Sequence, residues 1–155
     1  MIVLVMGVAG VGKTTLGEAL ARALGARFID ADDYHPPENV AKMRAGVPLD
    51  DEDRWPWLKR LNNELKEHRH AVLACSALKE GYRRRLAEGI QDFRIVYLHG
   101  SAELIRERMK ARRHRYMPAA LLDSQLAALE PPVNAIGIDV AAALVDSVAA
   151  IVERL

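Results

Sequence analysis

Gly7-Val8-Ala9-Gly10-Val11-Gly12-Lys13-Thr14 is the stretch that decides the fold of this chain. It has the form G-x-x-x-x-G-K-[ST]. Before it lies the apolar run Ile2-Val3-Leu4-Val5-Met6; after it Leu16, Ala19, Leu20, Ala23 and Leu24 recur at helical spacing, with Gly25 where a C-terminal cap belongs. Strand, glycine loop and helix, in that order, are what a phosphate-binding loop requires. Gly7, Gly10 and Gly12 open backbone conformations that turn successive N–H groups into one concavity, and the helix behind adds its unsatisfied amides and positive dipole end. Gly7, Gly10, Val11 and Gly12, with Lys13, Thr14 and Thr15, therefore form the expected nucleotide-binding loop, Lys13 reaching the β- and γ-phosphates and the Thr14 hydroxyl ligating Mg²⁺.

The rest of the composition is compatible with that reading. At 155 residues, half of them hydrophobic, the chain predicts one domain with a substantial core and no disorder. Twenty-two basic and 21 acidic residues leave a formal charge of +1, which gives no support to sequence-independent nucleic-acid binding. The single cysteine, Cys75, excludes an intrachain disulfide and suits a reducing cytoplasm. The first apolar run is too short, and lacks the basic leader, for a signal peptide; no stretch approaches the ~20 apolar residues of a membrane span.

Further buried-strand patterns fall at 28–30, 71–75, 94–98 and, interrupted by Gly137, 135–139. Helical patterns fall between them at 37–45, 56–68, 79–88, 101–112 and 118–129. A last one over 140–155 places Leu144, Val148, Ile151, Val152 and Leu155 on one face. Strands alternating with helices predict an α/β three-layer sandwich with a five-stranded parallel sheet, one domain over 1–155 carrying the phosphate-binding loop. Ligands of such sheets bind beyond the carboxyl ends of the strands, so chemistry is expected just after each one.

After the second strand comes Asp30-Ala31-Asp32-Asp33-Tyr34-His35-Pro36. Carboxylates facing a phosphate loop can hold Mg²⁺ through its waters or accept a substrate hydroxyl; the same acids also suit a solvated turn with a helix N-cap. Beside the loop we read Asp30 and Asp32 as functional, Asp33 as a bystander and His35 as a hydrogen-bonding partner of a polar ligand. After the third strand, Cys75-Ser76-Ala77-Leu78-Lys79 opens a helix and offers a wall for an anionic substrate, with Lys79 as a point charge; Cys75 reads as a core residue. In Asp50-Asp51-Glu52-Asp53-Arg54-Trp55-Pro56-Trp57-Leu58 the acids and Pro56 read as a capped helix start with the proline in the first turn, and both tryptophans as core aromatics. Arg54, a guanidinium among acids, is either paired structurally or reserved for a carboxylate ligand; we read it as the latter. The basic run Arg106, Arg108, Lys110, Arg112, Arg113, His114, Arg115 follows the fourth strand, where a closing lid would place cations on a transferring phosphoryl group and exclude water.

Together these segments resemble the P-loop gluconate kinases, relatives of shikimate kinase and the nucleoside monophosphate kinases. The likeness runs nearly end to end. It rests on residues 7–14, on Asp30-Ala31-Asp32 with His35-Pro36, on Asn39-Val40-Ala41-Lys42-Met43 and on Gly46-Val47-Pro48-Leu49. It continues through Asp51 to Leu58, Cys75 to Lys79, and Leu121-Leu122-Asp123-Ser124-Gln125 with Leu129-Glu130. The resemblance implies ATP-dependent phosphorylation of D-gluconate at O6 by a soluble cytoplasmic kinase that binds neither membrane nor nucleic acid, with a homodimer as a state common in the family. It implies a substrate-binding helical segment at about 35–68 and a lid at about 108–128. Lys13 and Thr14 would hold ATP and Mg²⁺, Asp30 would act through metal-bound water, and Asp32 would orient and help deprotonate the primary hydroxyl. His35, Arg54, Lys79 and Gln125 would surround the sugar acid, Arg54 taking its carboxylate. Arg108 would lie near adenine, Asp139 and Val140 close by, and Arg112 would be the lid cation in catalysis. The lid departs from the family's Arg-x-Gly-His-Phe: here Arg112-Arg113-His114-Arg115-Tyr116 stands there. The alternatives are a sister kinase of shikimate or another small hydroxy acid, and a nucleotide-binding module without catalysis. Shikimate kinases show a Gly-Gly-Gly turn after strand three, where this chain has Cys75-Ser76-Ala77.

Overall fold

The computed structural model describes residues 1–111 and 122–155. Five parallel strands, β1 (Ile2–Met6), β2 (Arg27–Asp30), β3 (Ala71–Ala74), β4 (Phe93–His99) and β5 (Ile136–Asp139), form one sheet in the order β2-β3-β1-β4-β5. The described helices are α1 (Lys13–Leu24), α2 (Pro37–Arg44), α3 (Asp51–Lys66), α4 (Glu80–Ala87), α5 (Ala102–Ala111), α6 (Leu122–Ala128) and α7 (Leu144–Arg154). The expected three-layer α/β sandwich is the observed one.

The central strand shows why both faces are covered. Val3 and Val5 enter a core with Leu16 and Leu20 of α1, Ile105 and Met109 of α5 and Ile151 of α7. Ile2, Leu4 and Met6 point the other way, into a core with Leu58, Leu61 and Leu65 of α3 and Leu86 of α4. An apolar run without alternation is what a strand buried on both sides needs. From β1 the chain crosses by α1 towards the β2 edge; from β3 it crosses by α4 to β4 on the opposite side. The connections diverge at the carboxyl end of β1, and that crevice holds the glycine loop.

Two expected helix bounds shift. Helix α3 starts at Asp51, and Pro56 lies in its interior rather than its first turn. A reciprocal cap sets the start: Asp50 accepts from the Asp53 amide at 2.8 Å, and Asp53 accepts from the Asp50 amide at 3.0 Å. Pro56 is exposed, so the carbonyl deprived of its helical N–H faces water. The last helix starts at Leu144, after a turn in which Asp139 accepts from the Ala141 amide. Its buried strip runs along Ser147 and Ile151; Leu144 and Val152 sit at the margin, 40% and 42% exposed, not on the core face.

Candidate active site

The loop after β1 has the backbone that phosphate binding demands. Gly10 and Gly12 take φ of 85° and 93°. A Cβ on Gly10 would also lie 2.5 Å from Met109 Cγ, so glycine is needed there for conformation and for the approach of α5. Gly12 caps α1 with no side-chain hydrogen bond to the first turn, which leaves those amides for a ligand. Thr14 and Thr15 are exposed at that end. Lys13 folds back to donate to the Val8 carbonyl at 3.0 Å. Burial lowers its pKa below the ordinary lysine value, and the carboxylates of Asp32 and Asp30 oppose that shift.

Beside the loop opens a cleft of about 670 Å³, lined by Asp32, His35, Arg54, Lys79 and Gln125 among others. These are the five residues that the resemblance implies for the substrate. Gln125 joins the two halves of the site: it lines the cleft, and its Oε1 accepts from the loop amide of Ala9 at 2.7 Å. Asp30 ends β2 and accepts from the Asp32 amide at 3.0 Å, the cap of a short 3-10 turn over Ala31–Tyr34. The capping and functional readings of these acids therefore coexist. Among the described residues no group of three or more His, Cys, Asp or Glu side chains could hold a metal by itself. A hydroxyl, a nearby carboxylate and phosphate oxygens are instead the hard, partly hydrated donor set that Mg²⁺ prefers, so the residues present fit it.

His35 is buried and stacked on Trp57, with ring centroids 4.0 Å apart and planes inclined by 15°. Burial first, and the Arg54 guanidinium second, push its pKa from 6.5 down to about 4. The sign of the linkage follows. The folded chain refuses a proton that the unfolded chain accepts, so stability is complete above pH 6.5, falls as pH drops towards 4, and then levels. The expected loss is on the order of 3 kcal/mol. Urea unfolding at pH 7.5 and 4.5 should show the wild type losing more than His35→Gln, which has nothing to titrate there.

Arg54 points from the first turn of α3 into the cleft, donating to the Leu49 carbonyl and lying 5.2 Å from the Tyr82 ring centroid. Lys79 Nζ lies 5.9 Å from the same ring. Tyr82 is thus an aromatic platform for both cations. Its hydroxyl donates to Asp51 at 2.6 Å, and burial together with that carboxylate holds its pKa at about 12. Nothing in the sequence singles out Tyr82: it sits alone in the basic helix segment 79–88, and only the packing of α4 against α3 brings it to the cleft. Trp57 is core, its Nε1 donating to the Ala31 carbonyl at 2.8 Å; Trp55 is only half-buried, edge-on to Tyr82 with Arg85 over its ring. Cys75 is buried, and burial raises its thiol to about 12, the inert core residue expected.

The helix opening after β3 differs from expectation. Glu130 accepts from the first α4 amide, that of Glu80, at 2.9 Å, so a carboxylate of the chain itself already occupies the place suggested for a substrate anion. Arg83, also buried, fastens the same turn by donating to the carbonyls of Ala77 and Glu130, each at 2.8 Å. Ala77 sits there at φ 44°, a conformation costly for a non-glycine residue and held by these bonds. Arg54 and Lys79 are the cationic side chains that line the cleft among the described residues.

On the other side of the loop a recess of about 110 Å³ is lined by Gly12, Thr15, Arg108, Asp139 and Val140. It brings together the residues that the resemblance associates with adenine. Arg112 and the segment 112–121 lie outside the described residues. No helix among the described residues is long and apolar enough to cross a membrane.

A family model described as an AAA domain matches residues 2–132. A probable gluconokinase of Xenopus tropicalis is 46% identical over 151 residues, covering 85% of this chain and 80% of that protein. The crystal structure of a gluconokinase from Sinorhizobium meliloti 1021 superposes with a TM-score of 0.86 at 45% identity, covering 96% of this chain and 87% of that one. Shikimate kinase from Aquifex aeolicus shares the fold alone, with a TM-score of 0.61 at 17% identity over 99% of this chain and 95% of that one.

Proposed function

Because this chain belongs to the gluconokinase family, we propose that it transfers the γ-phosphoryl group of ATP to O6 of D-gluconate, giving 6-phosphogluconate and ADP. The observation that carries this reading is the shared wall between loop and cleft: Gln125 touches both, so a hydroxyl in the cleft lies beside a phosphate in the loop. The amides of residues 10–14 and Lys13 grip the phosphates, and the Thr14 hydroxyl with Asp30 would hold Mg²⁺ through oxygen and water. When bound, Mg²⁺ offsets charge on the phosphate oxygens. Arg54 and Lys79 bind the carboxylate end of gluconate, which directs its far hydroxyl to Asp32 and His35. The hydroxyl oxygen then attacks phosphorus, its proton passes to Asp32, and the bond to the bridging oxygen of ADP breaks. Alignment and charge balance supply most of the acceleration, and the base a smaller part. Arg108 and the recess at Asp139 and Val140 receive the adenine.

Coupled ADP release over a panel of gluconate, shikimate and nucleoside monophosphates tests this. Gluconate alone should stimulate ADP production. Stimulation by shikimate or a nucleotide instead would reassign the substrate, and no stimulation by any of them would leave a binding module. The cleft supports the first outcome, because Arg54 and Lys79 line it together with Asp32, a carboxylate close enough to Lys13 to oppose the effect of burial on its pKa.

A further inference from the structure

Asn39 lies on α2, one turn beyond His35, and is only 2% exposed. Its Nδ2 is 2.9 Å from the Asp53 carbonyl oxygen and 3.3 Å from His35 Nδ1. A carbonyl oxygen can only accept, so the Asn39 atom facing it is the amide nitrogen. That nitrogen can only donate, so His35 Nδ1 is the bare, accepting nitrogen. A neutral imidazole has one proton, which must then sit on Nε2. Nε2 is 3.9 Å from Asp32 Oδ1, and both residues line the cleft. The ring plane is fixed by Trp57, itself anchored on the Ala31 carbonyl.

From this we infer that Asn39 is a positioning residue: it fixes His35 as the Nε2–H tautomer, so that the cleft presents one donor at His35 beside one acceptor at Asp32. Such a pair is complementary to a hydroxyl, whose oxygen accepts from Nε2–H while its proton points at the carboxylate. It also holds an incoming hydroxyl in a single orientation. The inference rests on the proposed reading only for what the hydroxyl belongs to; the tautomer itself follows from the contacts among Asp53, Asn39 and His35. The depressed basicity of His35 keeps the ring neutral, so one tautomer is the relevant state at neutral pH.

The test begins with the unmutated, ¹⁵N-labelled protein at neutral pH. Long-range proton–nitrogen correlation should show His35 with a bare Nδ1 and a protonated Nε2, assigned by loss of the signals in His35→Gln. A protonated Nδ1 overturns the inference whatever the enzyme's substrate. In Asn39→Asp the carboxylate can only accept, so Nδ1 must take up a proton; an unchanged tautomer there also overturns it. Kinetics supply the second readout. Asn39→Asp should lose about 10-fold in kcat/KM for gluconate, the order expected for one hydrogen bond, with KM for ATP unchanged. His35→Gln, whose amide nitrogen reaches the Nε2 position, should retain more activity than His35→Asn, whose shorter side chain reaches only Nδ1. Equal losses in those two variants would refute a role for the Nε2 donor. Failure of gluconate as a substrate, with the expected tautomer observed, would sink the proposed function and leave the tautomer assignment standing.

Discussion

Lys13→Ala is expected to cut turnover by about 10²- to 10³-fold, the range seen when one preorganised donor is removed from a developing anion. The same substitution should leave the fold as stable as the wild type, or slightly more so. Both halves come from where the residue sits. Lys13 is the first residue of α1, where the helix dipole disfavours a cation. Burial lowers its pKa, a sign that desolvating the ammonium costs free energy in the absence of a phosphate. Without a nucleotide the ammonium has the Val8 carbonyl as its hydrogen-bond acceptor, a modest return on that cost. The carboxylates of Asp32 and Asp30 offset that cost only in part, and a triphosphate in the loop would add the remaining counter-charge. The enzyme thus holds an unfavourable cation ready, and alanine, a good helix former, relieves it. Steady-state kinetics with saturating gluconate and thermal unfolding without ligand check the two expectations together. A large drop in melting temperature would mean that Lys13 is structural, and retained turnover would mean that the loop does not use it.

Much of this was legible from the residues because the strongest signals were local. The run Ile2 to Met6, the glycines at 7, 10 and 12, and Gly25 each act within a few positions. The strands and helices they predict appear within a few residues of their expected ends. Pro56 misled because the sequence does not show where it will face: an exposed proline in a helix leaves its freed carbonyl to water, and Asp50 with Asp53 had already fixed the start upstream. Leu144 and Val152 misled for a related reason, since an apolar helical face can be wider than the strip its neighbours cover.

The site divides the same way. Asp32, His35, Arg54 and Lys79 could be named because each sits just beyond a strand or beside a distinctive segment, Gln125 only through the family resemblance, and the cleft gathers all of them. Tyr82, Arg83, Asn39 and Glu130 could not be given roles, because those arise from contacts across distant sequence. Tyr82 meets Asp51 across α4 and α3; Glu130 caps α4 from far downstream; and Asn39 acts only through the carbonyl of Asp53. A glutamate bonding the α4 amide also explains why the helix start itself need not take a substrate anion, which the Lys79 side chain can still face from the cleft wall.

In the proposed reaction Arg54 and Lys79 share the anion, and the second large effect is expected at Arg54. Arg54→Ala should raise KM for gluconate by about 10²-fold, as loss of a charge-assisted hydrogen bond in a partly buried site implies, and leave KM for ATP within about twofold. A competing view makes Arg54 structural, since it donates to the Leu49 carbonyl and lies over Tyr82. The two views part on a substrate that keeps the hydroxyls and lacks the carboxylate, such as sorbitol. If Arg54 binds the carboxylate, the wild type should use sorbitol poorly and Arg54→Ala should use it no worse, because the interaction is already missing. If Arg54 only shapes the cleft, the substitution should penalise both substrates alike and lower the melting temperature. Arg54→Lys sharpens the choice. A lysine keeps the charge but loses the planar fork and most of the stacking on Tyr82, so it should recover only part of the gluconate affinity. Full recovery would point to charge alone, a role that Lys79, 5.9 Å from the same ring centroid, would share.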